Sequence, residues 1–303
     1  MTFPPNFDFD FDPITQEQFD SLPKVHIQTT SGLASLNEIL SGDPDAAYIE
    51  HVVSFTELAE AQKLLKQAPS MVGLVVYCEN QNEATALLEG NTELVLGGIV
   101  NSPEAAAVLK GSFVPYVYLG DIGEQVVYGG SRIVDAVRLL ENFRITDDGE
   151  LSPGIEAGFI LDRNLPVLCQ PEEAIAAGII ENIADYPLPL LRDFGYNVGL
   201  DKWTYETVTA LELDIHSYYD LLLSTIETSF LTKQLRRMLI GEVIEPAFAE
   251  FFAEDDEAAT ETEETSKTES EPSELKLSPE ELAGIDPQLL EEWGIDPKDI
   301  GLT

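Results

Sequence analysis

Residues 22–33, LPKVHIQTTSGL, set His26, Gln28 and Thr30 at alternate positions of a strand-like run. That spacing puts all three on one face, at the end of a buried strand. Polar side chains so placed can hold a metal, and hydrolytic chemistry would follow. Asp121, Glu124, Asp135 and Asp201 fall near other strand ends. Together they would form an oxygen-rich site for a hard cation such as Mg²⁺ or Mn²⁺. A chain with 56 acidic residues also places carboxylates there by chance. His26, His51 and His216 form no closely spaced ligand pattern, which counts against a histidine-rich zinc centre. Cys78 and Cys169 lie far apart inside apolar stretches. They read as buried thiols rather than a disulfide or a nucleophile with its base.

The elements that must position these residues alternate along the chain. Strand candidates are KVHIQ, AYIEHVV, VGLVVYC, LVLGGIV, PYVYLG, SRIVDAV, LPVLC and YNVGL. Most are continuous apolar runs, as parallel strands buried on both faces require. Helical stretches are expected over residues 56–67, 79–88, 102–109, 152–162 and 188–194, and over 218–252 as one helix or two. The glycine pairs of LGGIV and YGGSR lack phosphate-loop spacing and read as turns. The basic LTKQLRRM run, in so acidic a chain, is expected to pair with carboxylates of the protein. Eight strands alternating with helices define an α/β fold, a barrel or a doubly wound sheet. The short connections predict a shortened or irregular (β/α)8-type, TIM-like barrel.

Composition bounds the partners. With 56 acidic and 16 basic residues the formal charge is −40, so a duplex or an anionic membrane would repel the surface. No apolar run is long enough to span a bilayer and the first residues lack an export signal, which predicts a cytoplasmic protein. Residues 1–21, with the alternating FDFDFD, read as an N-terminal arm, and residues 22–252 as the α/β domain. Residues 253–277 are expected to be a disordered acidic linker, because they carry dense negative charge and almost no apolar side chains. Residues 278–303 are expected to form short helical turns, with capping signals at Ser278, Asp286 and Asp296. This docking segment would bind its own domain or a protein partner.

Between residues 131 and 200, the runs RIVDAVR, DRNLPVLCQP and NIADYPLPLLRDFGYNV, followed by ETSFLTKQLRRMLIGEVIEPAF, resemble the adenosine deaminase family. With KVHIQTT as the first strand, the resemblance spans most of residues 22–252. It implies hydrolytic deamination of a purine nucleoside on a (β/α)8 barrel, with a metal that activates water. Carried over by position, the first-strand ligands become Gln28 and Thr30, with His26 two residues early. The third ligand becomes Asp121, the proton-donating glutamate is Glu124, and the water-orienting histidine becomes Asp135. The last ligand falls on Trp203 or, two residues earlier, on Asp201. Only Glu124 keeps its expected side chain.

The first reading is therefore a non-catalytic, deaminase-like pseudoenzyme that binds or scaffolds, with no metal expected. A second is a hydrolase with zinc or another divalent metal held by Asp121, Asp201 and His26. A third is an interaction protein working through its acidic tail. The QVVYGG spacer after DIGE is too short for a barrel helix, which predicts an irregularity there.

Overall fold

In the computed structural model, residues 13–28, 32–41, 46–66, 72–90, 92–134 and 136–252 are described. Thr30, Asp135, the FDFDFD run, the acidic linker and the C-terminal segment lie outside the described residues. The described residues up to Phe251 belong to one compact unit.

Its strands are β1 (Val25–Ile27), β2 (Tyr48–Ser54), β3 (Val72–Cys78), β4 (Val95–Val100), β5 (Tyr116–Tyr118), β6 (Ile133–Val134), β7 (Phe143–Ile145), β8 (Leu151–Pro153), β9 (Val167–Cys169) and β10 (Val198–Leu200). Between and after them run α1 (Gln16–Ser21), α2 (Leu33–Ser41), α3 (Leu58–Leu65), α4 (Gln81–Glu89), α5 (Pro103–Lys110), α6 (Ile122–Tyr128) and α7 (Ala136–Leu139). The second half adds α8 (Ile155–Asp162), α9 (Pro171–Ala176), α10 (Leu188–Asp193), α11 (Tyr205–Ala210), α12 (Ile215–Thr228) and α13 (Lys233–Leu239). A π turn, Ile240–Ile244, carries α13 on toward residue 252.

The eight expected strands all form, and they pair in parallel as β1-β2-β3-β4-β5 and as β6-β9-β10. The Ser131 amide donates to the Tyr116 carbonyl at 2.7 Å, bridging the first sheet to the lead-in of β6. At the other junction the Ile27 amide donates to the Asp201 carbonyl at 2.7 Å. The result is a curled parallel sheet in barrel order, with its seam between β10 and β1 only lightly laced. The Leu200 amide, which points away from β9, donates to the Thr225 hydroxyl of α12 at 2.9 Å. Helix α12 thus supports the edge of β10. Gly199 allows this approach, since a Cβ there would stand 2.9 Å from the Thr225 Cα.

The alternation of strand side chains separates two layers. Ile49, Val53, Leu74, Val76 and Val100 pack outward against Leu36, Leu58, Ala61, Leu87 and Leu109 of the surrounding helices. On the opposite face of β2, Glu50 is fully buried and accepts from Arg132 Nη1 at 2.7 Å. Glu50 also accepts from the Phe230 amide, and the Arg132 guanidinium lies 4.2 Å from the Phe230 ring centroid while donating to the Thr228 carbonyl. This ion pair ties β2, the start of β6 and the end of α12 together.

Several expectations are corrected. The connection after DIGE does hold a helix, α6, because the helix begins within DIGE and does not wait for QVVYGG. Residues 152–162 do not form one helix: Leu151–Pro153 pairs antiparallel with Phe143–Ile145 across a Thr146–Gly149 turn in which Gly149 has φ +83°. The last helical region is two helices, one of the two expected forms, but it starts earlier, at Ile215, before breaking at Ser229 and restarting at Lys233. Gly97 and Gly98 lie inside β4, not in a turn; a Cβ on Gly97 would meet the Phe230 ring at 2.5 Å. Arg236 of the basic run donates to the Leu231 and Ser229 carbonyls at 2.9 and 2.8 Å, capping the end of α12 where a carboxylate partner was expected.

Candidate functional site

The C-terminal ends of β1 and β10 meet at a pocket of about 310 Å³ lined by His26, Ile27, Gln28, Glu172, Glu173, Asp201 and Lys202. In β1 the apolar Val25 and Ile27 are fully buried, leaving the alternate positions His26 and Gln28 to the pocket side. Asp201 is pinned by its backbone on both sides, its amide donating to Cys169 O at 3.0 Å and its carbonyl accepting from Ile27. The Trp203 amide donates to His26 Nδ1 at 3.2 Å, which fixes the imidazole against the loop leaving β10.

Pro171 starts α9 directly after β9 and puts Glu172 and Glu173 in its first turn. Lys202 Nζ reaches Glu172 at 2.6 Å, and Gln170 Nε2 donates to Glu173 at 2.8 Å. Burial, with the added charges of Glu173 and Glu172, pushes the Asp201 carboxyl up to about 8, against the smaller opposing pull of Lys202 and its amide. At neutral pH the Asp201 carboxyl therefore holds its proton far more readily than a solvated aspartate does. Gln28 Oε1 and Asp201 Oδ1 are buried and have no hydrogen-bond partner.

The sequence-named residues divide between two places. His26 and Asp201 come together in this pocket, with Gln28. Asp121 and Glu124 do not join them. Asp121 is the N-cap of α6, accepting from the Glu124 amide at 2.8 Å, and Glu124 accepts in return from the Asp121 amide at 3.3 Å. That reciprocal pair is a capping box on exposed side chains. Asp121 lines a separate depression with Arg138, Glu141 and Glu156. Trp203, the ungapped alternative to Asp201, is buried against Tyr218 with ring centroids 4.5 Å apart.

Glu172, Glu173 and Lys202 were not singled out in the sequence, although the Gln-Pro-Glu-Glu start after LPVLC marks a helix opening at a strand end. Gln125 was also missed. Buried behind Glu124, its amide donates to the Gly120 and Val134 carbonyls and accepts from the Val134 amide at 3.0 Å, fixing the end of β6. Both thiols are buried and free, as expected, and burial lifts each to about 12.

A zinc site needs about four N, O or S donors. The described donors do not fit one. Gln28 offers a neutral carboxamide, and His26 Nδ1 already accepts from the Trp203 amide. Among the described residues no three His, Cys, Asp or Glu side chains converge as metal ligands. What the pocket offers is hydrogen bonding by an acid, an imidazole and a carboxamide.

No protein-family model matches the chain. Adenosine deaminase from Mycobacterium sp. (strain KMS) is 25 % identical over 144 residues, covering 43 % of this chain and 40 % of that protein. Adenosine deaminase 1 of Streptomyces coelicolor is 20 % identical over 138 residues, 42 % of this chain and 35 % of that one. The chain therefore spans well under half the length of the curated relatives it matches. Among solved structures, the apo N6-methyl-AMP deaminase of Arabidopsis thaliana superposes with a TM-score of 0.58 at 12 % identity, over 77 % of this chain and 99 % of that one. A Burkholderia ambifaria amidohydrolase with bound Zn gives 0.57 at 11 % identity, over 82 % and 96 %. The fold is thus an α/β barrel like that of these deaminases, here shortened and irregular, and part of the chain is similar in sequence to adenosine deaminases. Among the described residues no helix is long and apolar enough to cross a membrane.

Proposed function

We propose that the chain is a cytoplasmic, non-catalytic relative of the adenosine deaminases that binds a small molecule at its barrel mouth without hydrolysing it. The observation that carries this reading is the donor set at the junction of β1 and β10: the Gln28 carboxamide stands where the resemblance calls for a metal ligand, and His26 Nδ1 is already taken by the Trp203 amide. Water is not activated by such a set, but a ligand is oriented by it, since a pocket of about 310 Å³ with a few convergent polar groups is of small-molecule size. The relatives are named adenosine deaminases, so a purine nucleoside is the first ligand to try.

The position of Glu124 supports the same reading. A proton donor must reach the reacting atom, whereas Glu124 closes a capping box and its partner Asp121 lines a different depression. The test combines elemental analysis of the purified protein after dialysis with calorimetric titration of adenosine. Metal-free protein that binds a nucleoside supports the proposal. Stoichiometric zinc that persists through dialysis refutes it. Residues 278–303 remain proposed as a docking segment for a protein partner, tested by deleting residues 253–303 and asking whether a captured partner is lost.

A further inference from the structure

Two buried oxygens in the barrel mouth, Gln28 Oε1 and Asp201 Oδ1, have no donor. Both belong to residues lining one pocket, and the same lining carries Glu172 and Glu173. Its lysine, Lys202, already reaches Glu172 at 2.6 Å. Elsewhere this chain satisfies buried amides closely: Gln125 makes three hydrogen bonds, two as donor and one as acceptor, and Gln62 Nε2 donates to the Glu93 carbonyl at 2.7 Å. A buried acceptor without a donor is costly, so two in one small pocket define a demand. A ligand that brings donors would meet both oxygens, and the pocket's carboxylates favour a positive charge on it.

A neutral nucleobase edge alternates donors and acceptors and would set lone pairs against these oxygens. A planar amidinium or guanidinium group presents donors only, in a fork that can reach more than one acceptor, and it is weakly hydrated for a cation. We propose that the pocket between β1 and β10 binds a small organic cation through an amidinium or guanidinium group, donating to Gln28 Oε1 and Asp201 Oδ1 and balanced by Glu173 and by Asp201, which releases its proton as the cation binds. This rests on reading the pocket as a binding site, and it assigns that site a cation where the relatives' names point to a nucleoside.

The experiment is calorimetric titration of the full chain with agmatine at roughly physiological ionic strength. Tetramethylammonium, which has charge but no N–H, and adenosine serve as comparison ligands. Saturable one-to-one agmatine binding is expected, with none for tetramethylammonium. Gln28→Leu and Asp201→Asn should each weaken agmatine about tenfold or more. Gln28→Glu, which keeps an acceptor at the same place, should bind at least as well as the parent and guards against a folding defect in the leucine variant. Agmatine affinity unchanged in the variants, or matched by tetramethylammonium, would show general attraction to a chain of charge −40 and overturn the inference. Adenosine binding without agmatine binding overturns it while leaving the proposed function standing. Zn²⁺ or Mg²⁺ uptake abolished by the same substitutions, with no agmatine bound, overturns both.

Discussion

Asp201→Asn is expected to stabilise the protein, and to do so more as pH rises. An unfolded aspartate ionises near 3.8, whereas the folded one holds its proton to about 8. Between those values the folded state binds the extra proton, so stability falls with rising pH. At 1.36 kcal/mol per pH unit the ceiling is roughly 6 kcal/mol. Asp201 keeps partial contact with solvent, which screens the burial penalty and brings the expected loss to about 2 to 3 kcal/mol. Asparagine retains the shape and cannot ionise, so the variant lacks this loss. Urea denaturation of both proteins at pH 5, about 7 and about 8.5 isolates the effect, because every other carboxylate titrates in both. The gap in unfolding free energy should widen in favour of the variant by about 2 kcal/mol from the lowest to the highest pH. A gap constant across the series would mean that Asp201 is ionised throughout and that a cation or a donor already meets it.

Further outcomes follow from the same contacts. Glu50→Gln or Arg132→Met should cost about 3 to 5 kcal/mol in urea unfolding, since each leaves a buried charge unpaired, and replacing both with methionine should recover much of it. Asp121→Ala should cost about 1 kcal/mol through loss of the α6 cap and leave ligand binding at the barrel mouth unchanged. Cys169, fully buried with its thiol pushed up to about 12, should resist iodoacetamide in the native protein and react once urea has unfolded it.

Much of the fold was legible because its strands are short apolar runs separated by helix starts, as in VGLVVYC followed by the Asn80 cap. The β7–β8 hairpin was not, since Ile145 and Leu151 are exposed and its three-residue strands have no buried period. Only the DDG turn marked it. At the site, local pattern misled where it had two meanings: Asp-Ile-Gly-Glu matches a deaminase motif by position and a capping box by chemistry. The pocket itself depends on contacts that no local pattern reports. His26 meets Trp203 across 177 residues of sequence, and Glu50 meets Arg132 across 82. The side chains were readable one by one, but the meeting of β1 with the end of β10 depends on the curl of the whole sheet.

If the barrel mouth binds without deaminating, as proposed, the purified chain incubated with adenosine and added Zn²⁺ releases no inosine or ammonia above the protein-free control, with or without the metal. Zinc-dependent inosine formation that disappears in Asp201→Asn would contradict the proposal and make Asp201 part of a working metal centre.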